Sequence, residues 1–142
     1  MKTILVLDDN KYILDVLALS LRTFLKDCTV LTASNGASGV ELLKARKVDL
    51  ILTDLDMPIM NGYVFIEHAK EIQPDAPVCV MTGDCPHHIA ERLRALGVRW
   101  CIEKPFNFDE LTHRISEELN RNSRPASKGA GRLPAEFVVK HH

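Results

Sequence analysis

Apolar residues along this chain fall into two alternating kinds of run. The first is short, unbroken and β-branched. Lys2–Leu7 ends abruptly in Asp8-Asp9, the mark of a strand buried on both faces. Cys28–Ala33 and the stretches 48–53, 77–81 and 99–103 repeat the type. The second kind recurs at steps of three and four and predicts helices. Over 12–25 it would turn Ile13, Val16, Leu17, Leu21, Phe24 and Leu25 inward, and over 63–72 Val64, Ile66, Ala69 and Ile72. A helix over 37–46 follows the turn signal Asn35-Gly36, and one over 89–96 is closed by Gly97 at the C′ position. The capping-box pair Asn107 and Glu110 opens a last helix to about Arg121, with Leu111, Ile115 and Leu119 on one face. Strands alternating with helices predict an α/β domain over residues 1–121, its parallel sheet covered on both sides.

After Arg121 the pattern fails. Residues 122–132 are rich in Ser, Pro, Gly and basic side chains and read as a linker. The tail 122–142 ends in a short apolar patch, Phe137-Val138-Val139, and two histidines, and it is too short for a second domain. It carries +3, so the body carries −4, within a net charge of −1 over 142 residues. That balance gives no general pull toward nucleic acid. No apolar run approaches the roughly 20 residues of a membrane span, and the N-terminus has no signal-peptide pattern. The four cysteines, Cys28, Cys79, Cys85 and Cys101, share no CxxC spacing. They read as reduced thiols, and the expected location is cytoplasmic.

Chemistry in open parallel sheets gathers at the carboxyl ends of the strands, beside the point where strand order reverses. Here the first strand ends at Asp8-Asp9, the third at Asp54, the fourth at Thr82 and the fifth at Lys104-Pro105. With order 2-1-3-4-5, the first and third strands are neighbours, and three carboxylates meet a hydroxyl and an ammonium. Carboxylates so crowded cannot all stay ionised without a cation. A hard divalent ion such as Mg²⁺ suits them. Together with Lys104 it would bring the site to zero charge. A carboxylate is a competent nucleophile toward phosphorus, and Asp54 is placed for that role.

These stretches make the chain resemble the receiver domain of two-component response regulators. The matching segments are Ile4-Leu5-Val6-Leu7-Asp8-Asp9-Asn10, Asp54-Leu55-Asp56-Met57-Pro58-Ile59-Met60-Asn61-Gly62, Met81-Thr82-Gly83 and Lys104-Pro105-Phe106. The resemblance covers about residues 1–121. It implies a flavodoxin-like, doubly wound (βα)5 fold with a five-stranded parallel sheet of order 2-1-3-4-5. It implies that Asp54 accepts a phosphoryl group from a histidine kinase or a histidine phosphotransfer protein. Asp9 and Asp54 would ligate Mg²⁺ directly, Asp8 mostly through water, and Asp56 through its backbone carbonyl. Thr82 and Lys104 would hold the phosphoryl oxygens, and Lys104–Pro105 would be a cis peptide. The expected protein is a signalling phosphoacceptor that catalyses only its own phosphorylation and dephosphorylation. It would contact a downstream protein target, or a second copy once phosphorylated, but neither nucleic acid nor membrane.

The chain departs from the family three residues before Lys104. The usual aromatic is replaced by Cys101, so the aromatic partner of Thr82 is missing. Output would then pass through the loop 83–88 and the helix after it, with Arg92, Arg94 and Arg99 as contacts. Asp84 would orient the water that ends the phosphorylated state. Cys85, His87 and His88 include soft and imidazole metal donors, but a polar loop running into a helix start at Pro86 explains them more simply. Two other classes compete. Asp54-Leu55-Asp56 resembles the nucleophile motif of haloacid-dehalogenase-type phosphatases, which leaves Asp8-Asp9 unexplained. A receiver fold that binds partners without phosphorylation would not need the intact set.

Overall fold

The computed structural model describes residues 1–123 and 136–140. Strands β1 (Lys2–Leu7), β2 (Cys28–Ala33), β3 (Leu50–Asp54), β4 (Val78–Thr82) and β5 (Cys101–Glu103) alternate with helices α1 (Lys11–Phe24), α2 (Gly36–Ala45), α3 (Gly62–Ile72), α4 (His87–Ala95) and α5 (Phe108–Ser123). A further strand, β6 (Val138–Val139), follows. All pairings are parallel, in the order β2-β1-β3-β4-β5-β6. The flavodoxin-like order expected for five strands is therefore present, extended by a sixth. The sequence pattern places the end of the domain at residue 121 and gives the tail a linker-like composition. Helix α5 runs on to Ser123, and Val138–Val139 returns to the sheet. Residues 124–135 and 141–142, which hold the linker composition and the final histidines, lie outside the described residues.

The alternation of side chains along each strand divides the core in two. Leu5 and Leu7 of β1 face Ile51, Phe65, Val80 and Leu93, on the side of α2, α3 and α4. Ile4 and Val6 face Leu17, Leu21, Leu52, Trp100, Leu111 and Ile115, on the side of α1 and α5. Strands β3 and β4 are buried along their whole length, as an inner parallel strand must be. Each large side chain so enclosed stabilises the fold by about 1.5–3 kcal/mol.

Asparagine opens four of the helices. The Oδ1 atoms of Asn10, Asn35, Asn61 and Asn107 accept from the backbone N–H of Ile13, Ser38, Val64 and Glu110 at 3.2, 2.9, 3.1 and 3.1 Å. Each satisfies one of the donors that a helix start leaves over. Gly97 takes the left-handed conformation, φ +85°, just beyond α4.

Two inward assignments are corrected. Phe24 is 60% exposed. Helix α1 buries Leu14, Leu17, Ala18 and Leu21, and Phe24, its last residue, lies about 70° from the centre of that stripe at 100° per residue. In α3 the buried positions are Gly62, Phe65, Ile66 and Ala69. Val64 falls on the opposite face, and Phe65 fills the core in its place. Gly39 of α2 makes room there, since a Cβ would stand 2.8 Å from the Phe65 ring and 2.5 Å from Leu7.

Candidate functional site

The register of the sheet assembles the site. Leu7 is level with Thr53, so Asp8 and Asp54 are the next residues on adjacent strands. Asp54 is level with Met81 and Thr82 with Glu103, which sets Lys104 one step above Thr82. The Lys104–Pro105 peptide is cis, and the Lys104 N–H donates to the Thr82 carbonyl at 2.7 Å.

The Lys104 ammonium stands between two carboxylates. It donates to Asp8 Oδ2 at 2.7 Å and to Asp54 Oδ2 at 2.9 Å. Each carboxylate uses its second oxygen on the backbone. Asp8 Oδ1 accepts from the Asn10 N–H at 2.9 Å, and Asp54 Oδ1 from the Asp56 N–H at 3.2 Å. Asp8 and Asp54 are buried, whereas Asp9 is exposed at the mouth. A ligating oxygen from each of the three lies within 4.8 Å of the others. Burial raises the Asp54 carboxyl above its ordinary value; Lys104 and the Asp56 N–H oppose the rise, and Asp8 adds to it. Burial would lower the Lys104 ammonium, but hydrogen bonds and charge from Asp8 and Asp54 carry it above its ordinary value.

One ammonium between buried acids, with a third carboxylate facing solvent, leaves negative charge in excess. That donor set, all oxygen and open on one side, fits a hard divalent cation such as Mg²⁺. Asp8, Asp9 and Asp54 would hold it. Asp56 is exposed just beyond, where the resemblance assigns a backbone ligand. Thr82 is buried at the end of β4, beside open space, since a Cβ on Gly83 would meet nothing within 4 Å. Asp84, two residues after Thr82, is exposed. Among the described residues the three aspartates form the one cluster suited to a metal. Cys85, His87 and His88 form none: Cys85 is buried, both histidines are exposed, and the Cys85 N–H donates to Glu103 Oε2 at 2.8 Å.

Gly62 is a site residue that the pattern Asn61-Gly62, taken as a chain break, did not reveal. Its N–H donates to the Leu55 carbonyl at 2.9 Å, and a Cβ there would stand 2.4 Å from the Asp54 carbonyl oxygen. The start of α3 is thus pressed directly onto the backbone of Asp54. The intervening loop turns through Ile59, which holds φ +72°, rare for a β-branched residue, and is 83% exposed.

Cys101 is fully buried, and the buried Cys85 is close enough to add to the rise that burial gives its thiol. The three arginines expected to wait for a partner are engaged within the chain. Arg92 lies 3.7 Å over the Tyr63 ring, and Arg94 lies 4.7 Å over the Phe137 ring. Arg99 is half-buried and pairs with Glu118 at 3.4 Å.

Comparison with known proteins agrees with this geometry. The response regulator receiver domain family matches residues 4–116, and the chain belongs to that family. It is 32% identical over 132 residues to the autoinducer 1 sensor kinase/phosphatase LuxN of Vibrio campbellii, covering 92% of this chain and 15% of the relative. It is 33% identical over 126 residues to the transcriptional regulatory protein GlrR of Escherichia coli, covering 87% of this chain and 27% of the relative. The chain thus spans well under a third of these two relatives. Among solved structures, a CheY-like receiver domain protein from Methanospirillum hungatei superposes with TM-score 0.80 at 26% identity, over 86% of this chain and 96% of that one. The beryllofluoride-activated NtrC4 receiver domain dimer gives TM-score 0.79 at 28% identity, over 87% and 100%.

Proposed function

We infer that this receiver takes a phosphoryl group onto Asp54 from the phosphohistidine of a histidine kinase or a histidine phosphotransfer protein. The observation that carries this reading is the Lys104 ammonium, shared between Asp8 and Asp54 at 2.7 and 2.9 Å. One Asp54 oxygen attacks phosphorus, the N–P bond breaks, and the imidazole leaves with a proton. Lys104 stays within reach of the charge that builds on the phosphoryl oxygens, and the Thr82 hydroxyl donates a further hydrogen bond to them. A Mg²⁺ held by Asp8, Asp9, Asp54 and the Asp56 carbonyl would neutralise the crowded carboxylates and draw charge from the phosphoryl oxygens. Asp84 orients the water that later hydrolyses the acyl phosphate.

The chain then acts as a signalling phosphoacceptor, with no turnover on an outside substrate. Its output is a change of shape read by a downstream protein or by a second copy. Likeness to the receiver of an activated dimer supports the second form. Tyr12 and Leu19 lie about 20° apart on the outer face of α1 at 100° per residue, both exposed, and offer an apolar surface to a phosphodonor protein. No helix among the described residues is long and apolar enough to cross a membrane, which is compatible with a cytoplasmic protein.

Acetyl phosphate with Mg²⁺ tests the reading. The wild-type chain should gain one hydroxylamine-labile phosphoryl group, and Asp54→Asn should gain none while keeping its fold. Full labelling of Asp54→Asn would refute the assignment. Repeated turnover of phosphoesters would favour the phosphatase instead.

A further inference from the structure

Strand β5 has three residues, and without a neighbour its outer edge would present unpaired backbone groups. The chain covers that edge from its own far end. Cys101 and Ile102 pair with Val138 and Val139, and the Cys101 N–H donates to the Phe137 carbonyl at 2.8 Å. The side chains of this segment enter both halves of the core. Phe137 and Val138 join the layer of α2, α3 and α4, and Val139 joins that of α1 and α5. Phe137 and Val139 are 8% and 3% exposed.

Two cations frame the segment. The Arg94 guanidinium of α4 stacks on the Phe137 ring at 4.7 Å, and that of Arg114, from α5, reaches Glu136 at 3.5 Å. At the far end Lys140 is exposed. Burial pushes the Cys85 thiol up, and the Lys140 charge is near enough to pull against that rise. An acid, an aromatic and two β-branched residues are each met by a matching group on the domain. Backbone pairing supplies attachment and the flanking pockets supply selectivity, the usual division of labour in strand addition.

We propose that the outer edge of β5, framed by Arg94 and Arg114, is a peptide-docking groove whose resident ligand is the chain's own segment 136–140. The segment is a displaceable occupant, not a fixed part of the sheet. Its pairing is two residues long, and it is joined to α5 through the twelve residues 124–135. A tethered ligand competes at an effective concentration of about millimolar. It therefore excludes an outside strand of the same chemistry until it leaves. The groove is the surface flanked by α4 and α5, so the occupant decides whether that face is open to a partner.

The full chain tests this with a labelled synthetic peptide of residues 135–140 as the probe. Phe137→Ser combined with Val139→Asp should evict the resident segment. The evicted chain should bind the peptide at least tenfold more tightly than the wild type, by fluorescence anisotropy. Arg94→Glu added to the evicted chain should remove most of that gain, and a peptide with serine in place of its phenylalanine should not bind. Equal affinity of wild-type and evicted chains, or indifference to the phenylalanine, would overturn the proposal. Should the evicted chain fail to fold, hydrogen exchange in the wild-type chain decides. The Cys101 N–H should exchange through local opening, well before the neighbouring Val80 N–H, which donates to the Trp100 carbonyl at 3.0 Å. Exchange of both amides together, only on global unfolding, would show a fixed strand and refute a displaceable one.

Discussion

Two ends of one sheet behave differently here. At the acidic rim, the candidate side chains Asp8, Asp54, Thr82 and Lys104 sit on or directly after strands locked in register. β1 pairs over six positions with β2 and four with β3, and Asp8 and Asp54 follow from that register without freedom. At the β5 edge, three residues pair with β4 and two with β6. The rim holds rigid strands around mutually repelling charges. The edge holds apolar complementarity on a short, tethered strand. Local strain and charge should therefore dominate changes at the rim, and small, graded losses should mark the edge.

The sharpest break in that comparison is removal of the shared ammonium. Lys104→Met leaves buried Asp8 and Asp54 facing each other with no cation between them. A cost of about 3 kcal/mol is expected in urea melts without metal. Added Mg²⁺ should restore part of it. Asp54→Asn should move the other way and stabilise the chain, because it removes a carboxylate that burial already disfavours. If both variants destabilise alike, charge crowding is not what limits the rim.

Close backbone packing comes next. Gly62→Ala puts a methyl 2.4 Å from the Asp54 carbonyl oxygen and 2.6 Å from the Leu55 Cα. The loop or α3 must shift, at about 2 kcal/mol, and acetyl phosphate labelling should slow with it. Gly83→Ala is the control, with nothing within 4 Å of its added methyl. Equal melting temperatures for the two variants would remove Gly62 from the site.

The same contrast explains what could be read in advance. Asp8-Asp9, Asp54, Thr82 and Lys104 were legible because each interrupts or closes an apolar run, and a parallel sheet collects such ends on one side. Strand order was not legible from the runs; it came with the resemblance. Phe24 and Val64 were misplaced because a step of three or four tolerates a neighbour on the wrong side of a stripe. Gly62 was hidden because a turn and a close backbone approach share one signal. The Phe137-Val138-Val139 patch was visible, but its partner was not. A two-residue strand has too little periodicity to announce itself, and pairing across 37 positions, Cys101 to Val138, leaves no local trace.

Metal linkage sharpens the comparison at smaller amplitude. An ion bound only by the folded state adds about 1.4 kcal/mol at ten times its dissociation constant. Mg²⁺ should raise the melting temperature of the wild type and of the edge variant Phe137→Ser by similar amounts. The rise should nearly vanish in Asp9→Asn, whose carboxylate is the exposed member of the cluster. A full Mg²⁺ response in Asp9→Asn would remove that residue from the donor set.

The smallest effect joins the two regions. Cys101 lies between them, its thiol against Cys85 and its backbone N–H on the Phe137 carbonyl. With no ring at this position, a movement of Thr82 toward a phosphoryl group has no aromatic to draw inward. It can travel through the loop that follows Thr82 to Cys85, whose N–H is held by Glu103 of β5 at 2.8 Å. Cys101→Ala removes the sulfur and keeps both backbone links, so a cost of about 1 kcal/mol is expected. The single tryptophan, Trp100, is buried one residue away on the opposite face and serves as the reporter. Its emission should change on phosphorylation to the same extent in wild-type and Cys101→Ala chains. Glu103→Gln, which weakens the hold on the loop, should diminish that change. If Cys101→Ala abolishes the response while labelling of Asp54 persists, the thiol pair itself carries the signal and the backbone route is wrong.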